Sequence, residues 1–221
     1  MYNFTTKSTP WADVTVRKVE IGDKITSIGD SAFSQTSVKS VKIPNSVKTI
    51  GNSAFEDCEL ESITIPKGVT KINESAFAGD NSLKSIKVNR GNKKYSSKDG
   101  VLFNKNKSAL VFYPSGKKGS RYTVPSSVRR IKSGAFDGYP GQNVFAKVRT
   151  LTMPKRIKII ENYALSETKI KTINFPGKRP ERIGKHAFGE NDTLTIRYKA
   201  KNWPASARQN YGAKKINWKN Y

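Results

Sequence analysis

The sequence contains few residues that could perform acid–base or nucleophilic chemistry, and these residues do not form a catalytic pattern. His186 is the single histidine among 221 residues, which excludes a two-histidine metal site and a zinc-protease motif. A serine–histidine–acid arrangement would have to use His186, and the chain has no Gly-x-Ser-x-Gly nucleophile turn. The chain repeats a short motif six times, and the other copies carry Ser, Gly or Tyr at the position of His186. We therefore interpret His186 as a surface residue.

The remaining reactive side chains also favour structural roles. Cys58 is the single cysteine, so it can form neither an intrachain disulfide nor a cysteine zinc site, and we interpret it as a small buried hydrophobe. Asp57, Glu59 and Glu61 are the densest acidic group and could pair in space for glycoside hydrolysis. A solvated turn paired with nearby lysines is the better interpretation of that group. The sequence therefore predicts that the protein is not an enzyme and has no metal or cofactor.

Charge is the strongest signal in the composition. The chain has 41 Lys and Arg against 17 Asp and Glu, a formal net charge of +24. Such a balance favours acidic partners, among them nucleic acid, anionic polysaccharide, phosphate-rich cell-wall polymers and acidic membrane surfaces. A solvated, lysine-rich surface without a binding role explains the same composition, and composition alone does not separate the two interpretations.

A motif that ends in Ala-Phe recurs along the chain and defines the elements that must position these side chains. In each copy an Ile lies four residues before an Ala, and the first three copies follow one another at a spacing of 22 residues. The longer gaps predict about 37 inserted residues after the third copy and about seven after the fourth. The six copies end at Phe33, Phe55, Phe77, Phe136, Leu165 and Phe188.

An alternating segment that ends in proline precedes most copies, as in Ile63-Thr64-Ile65-Pro66. The alternation predicts a short strand with one buried face, and proline ends the strand because it has no N–H to donate to the ladder. A strand this short needs the same strand of the next copy beside it, so we expect a solenoid in which each unit contacts its neighbours. We predict that each Ala-Phe segment is a helical turn whose Phe fills the core.

These residues resemble the BspA-like class of bacterial leucine-rich repeats, whose unit reads roughly L-x-x-I-x-I-P-x-x-V-x-x-I-G-x-x-A-F-x-x-C. The segments 38–58 and 60–77 match this unit closely, and the resemblance covers about residues 19–196. Two family positions vary here: the Gly after Ile is replaced by Asn73, Lys132 and Glu161, and only one unit keeps the cysteine. The resemblance implies a secreted or cell-surface bacterial protein, often an adhesin that binds host matrix proteins or other cells.

We predict one leucine-rich-repeat domain over residues 1–221, of mixed β structure with short helical turns. Its parts are an N-terminal segment (1–18), repeats 1–3 (19–88), a hairpin insertion (89–121), repeats 4–6 (122–196) and a C-terminal cap (197–221). The hairpin is expected to pair residues 101–103 with 109–113 around a polar turn and to pack beside the solenoid. The N-terminal segment resembles the first unit of the family without the glycine-rich strand that usually precedes it. The absence of a signal peptide in this chain therefore carries little weight, and we expect an export signal outside it.

Partner binding is expected on the outward-facing side chains of the stacked strands. Basic residues recur there and would form ladders, since stacked strands lie about 4.8 Å apart. The main hypothesis is a non-catalytic adhesion or recognition module for a surface protein or glycan; the alternative is a polyanion-binding protein. Nucleic acid is the weaker form of that alternative, because single-strand binding needs exposed aromatics and the candidates are the hairpin aromatics Phe103, Phe112 and Tyr113 and the C-terminal cap. The candidate ligand face consists of Lys42, Lys48, Lys71, Lys87, Arg129, Arg130, Lys158 and Arg182.

Overall fold

A computed structural model describes residues 15–136 and 146–221 of the chain. The chain divides into two compact units: unit 1 comprises residues 1–106 and 113–117, and unit 2 comprises residues 107–112 and 118–221. The N-terminal segment predicted at residues 1–18 lies mostly outside the described residues.

Unit 1 is built from short strands, most of them paired in parallel with the same strand of the next repeat. β1 pairs with β3, β2 with β4 and β4 with β6, and β5 with β7, while β8 and β9 form an antiparallel pair. The strands are β1 (Lys18–Glu20), β2 (Ser27–Ile28), β3 (Ser40–Lys42), β4 (Thr49–Ile50), β5 (Ser62–Ile65), β6 (Lys71–Ile72), β7 (Ser85–Val88), β8 (Tyr95–Lys98) and β9 (Val101–Asn104).

Unit 2 contains two parallel ladders and a C-terminal segment with two 3-10 helices, Ala200–Asn202 and Ala205–Ala207. One ladder runs β10-β12-β14-β16 and the other β11-β13-β15-β17-β18. The strands are β10 (Ala109–Phe112), β11 (Arg121–Thr123), β12 (Arg130–Ile131), β13 (Thr150–Thr152), β14 (Ile159–Ile160), β15 (Thr172–Phe175), β16 (Arg182–Ile183), β17 (Thr193–Tyr198) and β18 (Lys215–Asn220).

The register places the same motif position of successive repeats side by side. In unit 1 the motif residue Ile50 lies between Ile28 and Ile72, and in unit 2 Ile160 lies between Ile131 and Ile183. These Ile positions and the repeat Ala and Phe residues form the core, where most of them have almost no exposed surface. The leucine-rich-repeat solenoid predicted from the sequence is confirmed.

The Ala-Phe segments are hydrogen-bonded turns, and no α-helix occurs in residues 15–136 and 146–221. In the second repeat the N–H of Glu56 donates to the Ser53 carbonyl, while the N–H of Phe55 donates to Ala76 of the next repeat. The backbone is left-handed at Ser53 (φ 51°) and again at Asp57 (φ 50°). A helix cannot continue through left-handed residues, so the prediction of a helical turn is replaced by a tight turn between two left-handed positions.

The repeat Phe residues fill the core as predicted, and in unit 1 they stack on one another. The ring centroids of Phe33 and Phe55 are 5.4 Å apart with an interplanar angle of 6°, and those of Phe55 and Phe77 are 6.0 Å apart at 8°. In unit 2 the corresponding residues are Phe136, Leu165 and Phe188, so the aromatic column is interrupted by an aliphatic side chain.

A buried polar side chain follows the Phe in five of the repeats, at the position of the family cysteine. The Cys58 thiol donates to the Phe33 carbonyl at 3.0 Å, and the side-chain amide of Asn191 donates to the Leu165 carbonyl at 2.7 Å. Each of these two carbonyls also accepts from a threonine hydroxyl, Thr36 at 2.7 Å and Thr168 at 3.3 Å, so the buried backbone here is hydrogen-bonded by side chains of two successive repeats. The position is occupied by Thr36, Cys58, Asp80, Thr168 and Asn191, all less than 9% exposed.

The insertion contains a hairpin that the sequence prediction did not include. β8 and β9 pair around Asp99-Gly100, where both residues have positive φ (51° and 78°), as a type I′ turn requires. β9 and β10 form at the predicted positions and fall in different units.

The hairpin aromatics that the sequence offered as candidates for base stacking are buried. Phe103, Phe112 and Tyr113 are at most 3% exposed. In β9 the consecutive residues Val101, Leu102 and Phe103 are all buried, so this strand is covered on both faces and offers no ring for base stacking.

Candidate ligand-binding surface

Outward-facing strand residues are aligned along the five-stranded ladder of unit 2. Its register aligns these side chains, so that Thr172 lies between Thr150 and Thr195. In the next row the Asn174 side-chain amide donates to the Thr152 hydroxyl at 3.1 Å. The first row is Arg121, Thr150, Thr172, Thr195 and Asn217, and the second row is Thr123, Thr152, Asn174, Arg197 and Lys219.

The predicted cations of unit 1 are exposed and do not form one ladder. Lys42 is ion-paired with Glu20 on the neighbouring strand. Lys87 lies beside Thr64, and Lys71 beside Thr49, on different sheets. Lys48 precedes β4 and contributes its carbonyl to the N–H of Lys71.

The predicted cations of unit 2 lie closer together. Arg130 and Arg182 occupy the same row of the β12-β14-β16 ladder, with Ile159 between them. Arg129 and Lys158 lie on adjacent repeats, joined by a hydrogen bond from the Lys158 N–H to the Arg129 carbonyl. That these cations form part of a basic ladder across successive repeats stays a prediction.

One carboxylate neutralises part of this ladder. Glu161 accepts hydrogen bonds from Arg130 at 2.8 Å, from Lys132 at 3.3 Å and from the Ser133 N–H at 3.1 Å, and its side chain is only 13% exposed. Burial by itself would raise the pKa of Glu161, but these hydrogen bonds together outweigh burial and hold the pKa below its usual value. Arg130 therefore has a structural partner.

A cavity of about 610 Å³ lies beside this ladder, where the turns of three successive repeats meet. We call it the basic cleft. Glu181 is the single acidic residue among its described lining residues, and Glu181 is paired with Lys158 at 3.0 Å. No ion pair is formed by Lys155, Arg156, Lys178 or Arg179 within the described residues. The cations that line the cleft are Arg129, Lys155, Arg156, Lys158, Lys178 and Arg179.

Close backbone packing holds the turns of the cleft together. The turn at 154–157 is closed by a hydrogen bond from the Ile157 N–H to the Pro154 carbonyl. A methyl group on Gly177 would lie 1.9 Å from the Lys155 carbonyl oxygen, so only glycine allows the two turns to approach this closely. Asn202 then fixes the second turn, because its side-chain amide donates to the Gly177 carbonyl at 3.1 Å and its own carbonyl accepts from the Arg179 N–H at 3.3 Å.

Two of the predicted site residues, Arg129 and Lys158, line the basic cleft, whereas Lys155, Arg156, Lys178 and Arg179 were missed. A signal for the missed residues exists in the sequence. Pro154 is followed by Lys-Arg, and Pro176 by Gly-Lys-Arg, at the same place in consecutive repeats. These turns lie outside the strands on which the candidate ligand face was predicted.

The residues considered for chemistry have structural surroundings. Half-buried His186 stacks on Tyr163, with ring centroids 5.5 Å apart and an interplanar angle of 7°, and it occupies a left-handed turn position. Cys58 is buried as predicted, and burial raises the pKa of its thiol to about 12. Glu59 and Glu61 pair with Lys39 and Lys84 at 3.4 and 3.2 Å, as a solvated turn would.

Residues 15–136 and 146–221 contain no group of three or more His, Cys, Asp or Glu side chains placed to hold a metal ion. Within the same ranges, none of the helices is long and apolar enough to cross a bilayer.

The parallel stacking of short, Pro-terminated strands and Ala-Phe turns defines a leucine-rich-repeat protein. The chain belongs to the BspA-type leucine-rich repeat family: the family model, "BspA type Leucine rich repeat region (6 copies)", matches residues 8–115 and 108–204. No curated protein matches the chain significantly.

Several solved structures share this fold. The pneumococcal vaccine antigen PcpA is 24% identical, with a TM-score of 0.67 over 93% of this chain and 57% of the antigen. A leucine-rich cell surface protein of Faecalibacterium prausnitzii is 22% identical, with a TM-score of 0.60 over 94% of this chain and 61% of that protein. A leucine-rich repeat protein of Eubacterium ventriosum is 23% identical, with a TM-score of 0.56 over 98% of this chain and 69% of that protein. The chain thus spans 57% and 61% of the first two structures.

Proposed function

We propose that the protein is a non-catalytic recognition module of a bacterial cell surface or secreted protein, which binds a host or cell-surface protein or glycan through an exposed solenoid face. The observation that carries the proposal is the five-stranded ladder of unit 2, whose two rows present threonine, asparagine and basic side chains in register. A regular array of hydrogen-bonding groups at strand spacing suits an extended polar partner. The fold shared with a cell surface protein supports this location.

Binding by this face can be tested with a charge introduced at its centre. Thr172→Glu places a carboxylate between Thr150 and Thr195, and Thr64→Glu is the matched change on an exposed strand residue of unit 1. The purified proteins are passed over immobilised collagen, fibronectin and laminin and over an array of neutral glycans. We expect at least one probe to bind wild type and Thr64→Glu alike and Thr172→Glu at least tenfold more weakly. Equal binding by all three proteins would reject this face, and chemical turnover of a bound probe would reject the non-catalytic role.

A second candidate, polyanion binding, is favoured by the net charge of +24 and by the six cations that line the basic cleft. Binding of this kind weakens steeply with salt. Elution of the chain from a heparin column near physiological ionic strength would reject it.

A further inference from the structure

We propose that the basic cleft is a binding site for the sulfate or phosphate groups of an acidic carbohydrate polymer, either a sulfated polysaccharide or a polyol phosphate. The inference rests on the second candidate function, polyanion binding, and gives it a ligand class and a site separate from the five-stranded ladder. The cleft of about 610 Å³ is of the size that binds small ligands and segments of larger ones. Such a volume accommodates a short run of sugar units with their charged substituents.

The lining of the basic cleft is strongly cationic. Six cations line the cleft and one carboxylate, Glu181, offsets a single charge by pairing with Lys158. A cleft lined by one sign of charge concentrates the field and raises the local concentration of ions of opposite sign. Like charges this close repel one another, so the fold holds them together against an unfavourable interaction that an anionic ligand would relieve.

Backbone contacts hold the two charged turns of the cleft together. Because Gly177 packs directly against the Lys155 carbonyl, and because Asn202 bonds both Gly177 and Arg179, the two turns cannot spread to separate their charges. Lys155 and Lys178, like Arg156, remain exposed at the opening of the cleft. The backbone of such a site needs little ordering when a ligand binds.

One of the arginines that line the cleft has an unsatisfied hydrogen-bond donor. The Nε of Arg179 is buried and has no hydrogen-bond partner among the described residues, although Arg179 lines the cavity. A buried donor without an acceptor is unfavourable. The guanidinium group matches the geometry of sulfate and phosphate oxygens, which would supply the acceptor.

The lining residues favour a polysaccharide over a nucleic acid. Apart from its charged groups the cleft is lined by Ile157, Gly177 and Asn202, and none of its described lining residues is aromatic. Single-stranded nucleic acids gain much of their affinity from bases stacked on aromatic rings. Charged substituents on a sugar chain need only the cations and hydrogen bonds that the cleft provides.

The test compares two double variants that remove the same charge from different turns. Lys178→Gln/Arg179→Gln alters the cleft, and Lys67→Gln/Arg90→Gln, both exposed residues of unit 1, is the matched control. Lys155→Gln/Arg156→Gln provides a second cleft variant should the first fold poorly, as judged by circular dichroism. Each protein is titrated calorimetrically with a heparin oligosaccharide, with polyglycerol phosphate and with single-stranded oligo-dT of equal charge, at several salt concentrations.

We expect the cleft variants to bind heparin or polyglycerol phosphate at least tenfold more weakly than wild type and the control within twofold of wild type. The slope of log affinity against log salt should fall by roughly two in the cleft variants, one per cation removed. The two polymers separate sulfate from phosphate as the preferred group.

Equal losses in the cleft and control variants would overturn the proposal, since binding would then follow net charge. Tighter binding of oligo-dT than of either polymer, with the same loss in the cleft variants, would also overturn it in favour of nucleic acid. If wild type binds no polyanion, the cleft assignment fails while the Thr172→Glu experiment still decides the recognition function.

Discussion

In both units a glycine in a turn after a strand proline packs against a backbone carbonyl of the preceding turn, but the turns of unit 2 carry more positive charge than those of unit 1. Gly68 in unit 1 packs against the Asn45 carbonyl as Gly177 in unit 2 packs against the Lys155 carbonyl, and a methyl group on either glycine would lie 1.9 Å from the carbonyl oxygen. The unit 1 turns carry Asn45-Ser46 and Lys67-Gly68, whereas those of unit 2 carry Lys155-Arg156 and Gly177-Lys178-Arg179. The fold therefore requires the glycine and leaves the charges free to vary. Stacking does not explain four cations on adjacent unit 2 turns that form no ion pair among the described residues, which supports a binding role for them.

The cores of the two units also differ, and this difference gives the largest expected effect on stability. Phe55 stacks between Phe33 and Phe77 in unit 1, while Leu165 takes the equivalent place in unit 2. We expect Phe55→Ala to lower the free energy of unfolding by about 3–5 kcal/mol through loss of burial and creation of a cavity. Phe55→Leu, which copies unit 2, should cost only about 1 kcal/mol. Urea unfolding followed by circular dichroism measures both, and equal losses would show that the ring stack itself is required.

The glycine–carbonyl contact that occurs in both units predicts the next largest effect on stability. Gly177→Ala and Gly68→Ala should each lower the free energy of unfolding by about 1–3 kcal/mol, because the methyl group must displace a backbone carbonyl. Gly22→Ala is the control, since a methyl group there meets nothing within 4 Å. Thermal unfolding of the three variants checks this. If Gly177→Ala were as stable as Gly22→Ala, the close contact of Gly177 with the Lys155 carbonyl, and its equivalence to the Gly68 contact, would be contradicted.

Glu161 forms ion pairs with Arg130 and Lys132, whereas most cations of the basic cleft have no acidic partner among the described residues. The depressed pKa of Glu161 means that its ionised form stabilises the fold above the unfolded pKa of about 4.5 and that this stability is lost as pH falls through the lower folded value. Glu161→Gln should therefore lower the free energy of unfolding by about 1 kcal/mol at pH 7, since Arg130 and Lys132 are partly screened by solvent. Urea titrations from pH 7 to pH 3 should show the difference from wild type shrinking with acid. A constant difference over that range would contradict the assignment.

The sequence predicted the elements that recur and missed those set by one local conformation. The period of the Ala-Phe motif was enough to predict parallel strands, buried Phe residues and a buried Cys58, because each depends on a pattern repeated in every unit. The β8–β9 hairpin depends on the two-residue turn signal Asp99-Gly100 alone. The longer apolar runs at 101–103 and 109–113 favoured a different hairpin. The helical turns were wrong because left-handed Ser53 and Asp57 give no clear compositional sign.

The candidate site shows the same limit. Lys158 could be selected because it flanks a strand row, whereas Lys178 and Arg179 lie in a turn with an extra residue relative to Pro154–Ile157. Their proximity to Lys155 depends on Gly177 and on Asn202 from the C-terminal segment. Such a contact joins residues about 25 positions apart and is not visible in a charge pattern read along the chain.

The smallest expected effect concerns the charges that distinguish the turns of the two units. If the cations of the unit 2 turns repel one another, Lys178→Gln should raise the free energy of unfolding by a few tenths of a kcal/mol at low salt, whereas Lys67→Gln in unit 1 should leave it unchanged. At about 1 M salt, where the screening length is about 3 Å, the gain should disappear. Paired urea titrations at the two salt concentrations measure the effect. A higher free energy of unfolding in both variants would indicate general charge repulsion, and a lower one in Lys178→Gln would mean that Lys178 stabilises its turn. An increase confined to the unit 2 variant fits a surface whose charges are kept for a ligand although they lower stability.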